Sequence, residues 1–158
     1  MRAGLSVALL ACLSVAAVVV ALTSGGGPSR LSKPEYEQSV RAVYADVQAS
    51  FQSTRVVSSG DLADRLEAAQ TELREAADRL ERAKPPTDVY AENTELVEGM
   101  REYATDLDQV REAAARRDRS AVDRFNEELA GNQAVERMAE AAEEMKFKGY
   151  DLGQLAEE

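Results

Sequence analysis

Two amide side chains stand where hydrocarbon is expected. Asn93 falls within the spacing Val89, Asn93, Leu96, Met100, Tyr103, Leu107, Val110, Ala114. Asn132 falls within Val122, Phe125, Leu129, Asn132, Val135, Met138, Ala142, Met145. Both spacings describe one helical face turned toward a core. A buried amide finds hydrogen-bond partners or loses about 1–3 kcal/mol. Each amide therefore fixes helix register or joins a small polar pocket between helices, lined by Tyr103 or Tyr44. A third feature is the cation cluster Arg116, Arg117 and Arg119, interrupted by Asp118. It could meet a polyanion or an acidic partner; its simpler reading is a solvated helix end where cations complement the macrodipole.

Other chemistry is excluded by residue type. The chain has no His, no Trp and a single Cys, Cys12. Nucleophile triads lack their usual base, zinc sites lack their nitrogen and sulfur ligands, and Glu-x-x-His di-iron pairs cannot occur. Gly25-Gly26-Gly27 lacks the strand, lysine and following helix of a phosphate loop. Carboxylate pairs such as Glu127-Glu128 and Glu143-Glu144 lie on exposed helical faces, where solvation is the expected role and loose cation binding the alternative. Met100, Met138 and Met145 read as core filling, not copper ligands. No catalytic residue, metal site or cofactor is expected.

Ala3 to Thr23 is an unbroken run of 21 uncharged residues. As a helix it reaches about 30 Å, the hydrocarbon thickness of a bilayer. Its length favours a retained signal anchor over a cleaved signal peptide, whose apolar core spans about 7–15 residues. Leu9-Leu10-Ala11-Cys12 resembles a lipobox, but apolar sequence continues past Cys12, which is better read as facing lipid. Residues 1–24 are thus an anchor or signal, 25–30 a Gly-rich linker, and 31–158 the body. Arg2 precedes the run and Arg30 and Lys33 follow it, so charge hardly sets orientation. A signal-like segment leads the chain outward, placing the body outside the cytoplasm, or secreted if cleaved.

The body holds all 29 acidic residues and 17 of the 19 basic ones, a net charge of −12. Such a surface repels nucleic acid and anionic lipid. Without cysteine it has no disulfides, and its Ala, Glu, Arg and Leu content is helical.

Punctuation predicts four helices, over about 33–57, 61–84, 88–117 and 120–148. Ser32-x-x-Glu35 is a capping box with Pro34 in the first turn, heading the stripe Tyr36, Val40, Val43, Val47, Ser50, Thr54. Asp61 caps Leu62, Leu66, Ala69, Leu73, Ala76, Leu80, Ala83, where small residues predict close approach. Pro85-Pro86 ends that helix; Thr87 caps the third and Ser120-x-x-Asp123 the fourth. A register slip near Gly131-Asn132 predicts a kink. Gly149 ends the helix, and Tyr150-Asp151-Leu152-Gly153 packs back as a tail. Short links force antiparallel neighbours. The expected fold is all-α: an N-terminal apolar membrane helix, then an up-down-up-down four-helix bundle. The Gly60 and Arg116–Arg119 turns lie at its far tip. Val56-Val57 there close the end of the core; the alternative is an exposed contact patch.

Leu31-Ser32-Lys33-Pro34-Glu35-Tyr36, Pro85-Pro86-Thr87-Asp88, Leu96-Val97-Glu98-Gly99, Phe125-Asn126 and Met145 to Gly153 form a combination spread over most of the body. On these residues the body resembles exported or membrane-anchored helical proteins of actinobacteria. These are punctuation and packing residues, and the resemblance brings no activity, substrate or cofactor with it. Asn93 stands where His is expected in similar sequences, a departure that weakens any shared metal or proton role. The expected function is non-enzymatic: an interaction or accessory module tethered through residues 3–23, with an envelope protein or cell-wall component as partner. The alternative is a small-ligand sensor or carrier with an interhelical site near Asn93 and Asn132.

Overall fold

The computed structural model describes residues 29–54, 61–128 and 131–153, all of it helix, turn or short connection. The helices are α1 (Lys33–Thr54), α2 (Leu62–Arg82), α3 (Tyr90–Ala115), α4 (Arg119–Glu128) and α5 (Gln133–Phe147). No strand occurs among the described residues, and none of their helices is long and apolar enough to cross a membrane. The run Ala3–Thr23, the Gly60 turn with Val56-Val57, and Leu129 lie outside the described residues.

Helix α3 is the hub. It packs along α2 on one side and α5 on another, α4 rests on it, and α1 packs on α2. The stripes explain this arrangement. Leu66, Leu73 and Leu80 of α2 interleave with Ala69, Ala76 and Ala77; all six are buried, and all but Ala69 share one core with Leu96, Met100, Leu107 and Val110 of α3. Alanine at alternate contacts leaves room for the leucines opposite. Tyr36, Val40 and Val43 bury the first half of α1, whereas Val47 and Phe51 are half-buried.

Helix ends differ from the sequence expectation in instructive ways. At α1 only half the capping box forms: the Ser32 N–H donates to Glu35 Oε2 at 2.9 Å, and the Ser32 hydroxyl turns to the same oxygen. Those two hydrogen bonds hold the Glu35 carboxyl below its usual pKa. Asp61 makes no side-chain cap bond. Thr87 does not cap the third helix; it opens a 3₁₀ turn, Thr87–Val89, that follows the prolines. The cap of α4 is Asp118 and not Ser120. Its Oδ1 accepts from the Ala121 N–H at 3.2 Å and from the Ser120 hydroxyl at 2.8 Å.

The expected fourth helix is two helices. Asn132 is extended, with φ −74° and ψ 122°, and its Oδ1 caps α5 by accepting the Val135 N–H at 3.1 Å. Its place on a continuous apolar stripe is therefore corrected: a side chain able to satisfy an orphan N–H is worth more at a helix start than in a core. Downstream, Gly149 takes φ +83° as the chain closes on the end of α5. The Gly149 N–H donates to the Lys146 carbonyl and the Tyr150 N–H to the Met145 carbonyl. That pair of bonds reverses the chain and lets Tyr150 and Leu152 bury themselves as a returning tail.

Gly99 sets the α3–α5 distance. A Cβ there would stand 2.6 Å from Met138 Cγ and 3.1 Å from the Ala134 carbonyl oxygen. Gly99→Ala gains about 1 kcal/mol of helix propensity but overpacks this contact at a cost of about 1–3 kcal/mol. The expected outcome is a lower thermal midpoint, relieved when Met138 is also shortened to Ala; a plain rise in midpoint would show that α5 moves away freely.

Candidate functional site

Among the described residues, three polar side chains are buried: Gln70, Glu92 and Asn93. Two of them organise one end of the molecule. Asn93 Oδ1 accepts the Tyr36 hydroxyl at 2.8 Å, and that hydroxyl also lies 3.7 Å from Met145 Sδ. The Tyr36 ring meets Tyr150 edge to face, centroids 6.0 Å apart. Tyr150 in turn donates to the Asp88 carboxylate, at 3.0 and 3.1 Å. Next to them the Lys148 ammonium donates to Glu92 Oε1 and to the Asp88 carbonyl. Arg41 grips the tail through the Asp151 carbonyl and carboxylate, at 3.0 and 2.9 Å. The cluster ties α1, the start of α3, the end of α5 and the tail together.

Its electrostatics favour holding over reacting. Burial, the neighbouring Tyr150 and Glu92 push the Tyr36 phenol far above its ordinary pKa. Burial and the Asp88 hydrogen bond raise Tyr150 to about 12. Both phenols therefore act near neutrality as donors, not as bases or nucleophiles. Burial presses the Glu92 carboxyl upward, but the Lys148 hydrogen bond and charge outweigh it and the net shift is downward. Glu92 Oε2 is buried without a hydrogen-bond partner, so the pair is an organising contact more than a stabilising one. No three of His, Cys, Asp and Glu converge into a metal-binding group among the described residues.

The residues singled out from sequence fall in three separate places. Asn93 closes a groove of about 500 Å³ between the end of α2 and the start of α3, with Arg30, Lys84, Tyr90 and Arg101 on its walls. Asn132 lies elsewhere: its Nδ2 donates to Asp106 Oδ2 at 2.7 Å, beside a groove of about 190 Å³. Asp106 is 13 positions along α3 from Asn93, about 20 Å at helical rise. The two amides do not share a pocket. Tyr103 stands between them and stacks on Phe51, centroids 5.8 Å apart; burial and Asp106 raise its pKa to about 12.

Arg116, Arg117 and Arg119 are exposed at the α3–α4 turn. Arg116 lies 3.5 Å from Glu112. Arg117 takes the left-handed conformation, φ +58°, while its N–H reaches Ala114 O and the Asp118 N–H reaches Ala113 O. This is the same chain reversal as at Gly149, made with a residue that pays about 1–2 kcal/mol for the conformation.

Sequence reasoning missed Gln70 and Glu92. Gln70 Nε2 donates to the Ala104 carbonyl at 2.8 Å and to Asp108 Oδ1 at 3.0 Å, fastening α2 to α3. Its signal was adjacency to Ala69 on the α2 stripe. Glu92 stands three residues after Val89 and four before Leu96, on the edge of the α3 stripe; its partner Lys148, 56 residues on, carries no local signal.

No protein-family model, no curated protein and no solved structure matches this chain. The site is read from its own chemistry.

Two outcomes follow from the buried amide and phenols. Asn93→Leu strands the Tyr36 hydroxyl and should cost about 1–3 kcal/mol. Adding Tyr36→Phe to it should cost less than the sum of the single changes, measured by denaturant unfolding; strict additivity would deny the coupling. Alkaline stability carries the second. Tyr103 and Tyr150 ionise near 12 in the fold against 10.0 ordinarily. Their contribution is complete below about pH 10, where both states are protonated, and drains away as pH rises toward 12. Phenolate absorbance and helical circular dichroism, followed together, should therefore change together above pH 10.

Proposed function

We propose that the protein is a membrane-tethered, extracytoplasmic helical module that acts without catalysis, as an interaction or accessory component of the cell envelope. The observation that carries this reading is the run of 21 uncharged residues, Ala3–Thr23, ahead of a body bearing all 29 acidic residues. One segment suits a bilayer and the rest suits water. We read the body as an up-down-up-down four-helix bundle whose last member is divided into α4 and α5.

The chemistry of the body supports a surface function. Its buried phenols are held protonated, and its buried carboxylate is occupied by a lysine. Arginines bridge carboxylates between helices: Arg79 to Asp46, Arg101 to Asp78, Arg137 to Glu98. Exposed pairs of this kind contribute little to stability, but they dress a regular, charged surface of the type a partner reads. The Arg116, Arg117 and Arg119 turn, at the end opposite the start of α1, is the part of that surface suited to an anionic cell-wall component or an acidic protein.

A second reading is a small-ligand carrier. The groove of about 500 Å³ that Asn93 closes favours it. In this reading Asn93 alone, and not Asn132, belongs to the ligand site.

The tether and its orientation are tested by one fusion. A C-terminal reporter that works only outside the cytoplasm should be active, and the full chain should sediment with membranes. A silent reporter on an abundant, membrane-bound fusion would overturn the extracytoplasmic placement. A fusion that stays in the soluble fraction would overturn the tether.

A further inference from the structure

The groove between the end of α2 and the start of α3 holds about 500 Å³, a size common among small-molecule clefts. Its ionic groups are already engaged. Arg101 donates to Asp78 and to Glu81, each at 2.8 Å. Glu98 lies 3.5 Å from Arg137. Arg30 donates to the Pro85 carbonyl at 2.9 Å and stacks 5.4 Å from the centre of the Tyr90 ring. Lys84 has an interaction of its own. With Asp78 counted beside the lining residues, the cations Arg30, Lys84 and Arg101 balance the carboxylates Asp78, Glu81 and Glu98. A charged ligand would have to break one of these contacts and strand its partner.

What the walls leave open is neutral. Asn93 is 4 % exposed, and its Oδ1 is occupied by the Tyr36 hydroxyl. Its Nδ2 makes no hydrogen bond among the described residues, yet it is not sealed in. The buried side-chain atoms that lack a partner there are Arg79 Nε and Glu92 Oε2, so Nδ2 reaches the groove that Asn93 lines. It offers two N–H donors, and the Tyr36 bond sets which way the amide points. Thr94, the next residue of α3, directs its proton to the Tyr90 carbonyl at 3.0 Å. Its hydroxyl oxygen is thereby left to accept from the groove. Tyr90 is 55 % exposed, with Arg30 over its ring, and Pro85 and Val97 add apolar wall.

We infer that this groove binds a neutral, polyhydroxylated ligand, a sugar of one or two rings. Hydroxyl or acetamido oxygens accept from Asn93 Nδ2, a hydroxyl donates to Thr94 Oγ1, and the C–H face of the sugar packs on Tyr90. The inference rests on the carrier reading of this groove and names the class of its ligand. Sugars suit the site because each hydroxyl both donates and accepts, while the ring C–H groups supply an apolar face for an aromatic side chain. Other classes fit less well. A phosphate or carboxylate is held by a cation free to pair with it, and the three cations here are engaged. A purely apolar ligand would cover Asn93 Nδ2 without a partner, at a cost of about tenfold in affinity.

The test uses the full chain, isotope-labelled for NMR, in a detergent without a sugar headgroup. Cellobiose, lactose and N,N′-diacetylchitobiose are titrated in turn. The comparison probes are digalacturonate, an anion; deacetylated chitobiose, a cation; and benzyl alcohol, an apolar ring. The Asn93 side-chain amide and the Thr94 backbone amide should shift with at least one neutral sugar, at lower concentration than with any comparison probe. Thr94→Val should weaken that binding about threefold to tenfold, and Tyr90→Ala about tenfold, with helical circular dichroism unchanged. Arg119→Gln, at the other end, should leave it as it was. Shifts that come only with a charged or apolar probe, or equally with all six, overturn the sugar class and leave the groove a ligand site. Sugar binding that Thr94→Val and Tyr90→Ala leave untouched overturns its placement here. No shift with any probe overturns the inference and the carrier reading together.

Discussion

The hydroxyl of Tyr36 is the contact on which this architecture turns. It donates to Asn93 of α3 and lies against Met145 of α5 from a position on α1 that is wholly buried. Helices α1 and α5 share little backbone proximity, so this side chain and the tail behind it do the joining. A phenol is suited to the task because it combines a large apolar face with one directional donor. The amide opposite can satisfy that donor only in one register. Once Tyr36 and Asn93 are paired, Tyr150 has a ring to pack against, Asp88 a hydroxyl to accept, and the tail a place to lie.

The same constraint organises charge. Folding the tail over α1 brings Lys148 to Glu92 and Lys33 to Tyr150. Lys84, at the end of α2, and Lys146, in the last turn of α5, lie at that same end by helix packing, and the arginine turn and the α2 start lie at the other. Along the helices between these ends, arginines meet carboxylates on neighbouring helices. A net charge of −12 averages over two ends with different chemistry. For the proposed tethered module the distinction matters, because one end faces what the anchor faces and the other faces outward.

Much of this was legible in one dimension. Period and punctuation are local properties, and they located the helices, the proline stop, the slip at Gly131-Asn132 and the returning tail after Gly149. Asn93 was legible as a polar intruder on an apolar stripe. Caps were less so: Thr87 yielded to a 3₁₀ turn and Ser120 to Asp118, because several short polar side chains near a helix start compete for the same N–H groups. Asn132 misled for a related reason. Spacing places it on a stripe, but an amide beside Gly131 can end one helix and begin the next, and the backbone bonds it satisfies there decide the matter.

By itself, then, the sequence determined the all-helical class, the ends of α2 and α3 to within a few residues, and the exclusion of histidine and cysteine chemistry from the body. Those follow from residue type and from periods of three to four positions. Tertiary structure decided the rest: that Asn93 and Asn132 belong to different grooves, that Glu92 and Gln70 are buried, and that four lysines scattered from position 33 to 148 share one end. Such facts depend on contacts between residues up to 114 positions apart. No local pattern encodes them, because a pairing at that range is chosen by how whole helices pack, not by the neighbours of either residue.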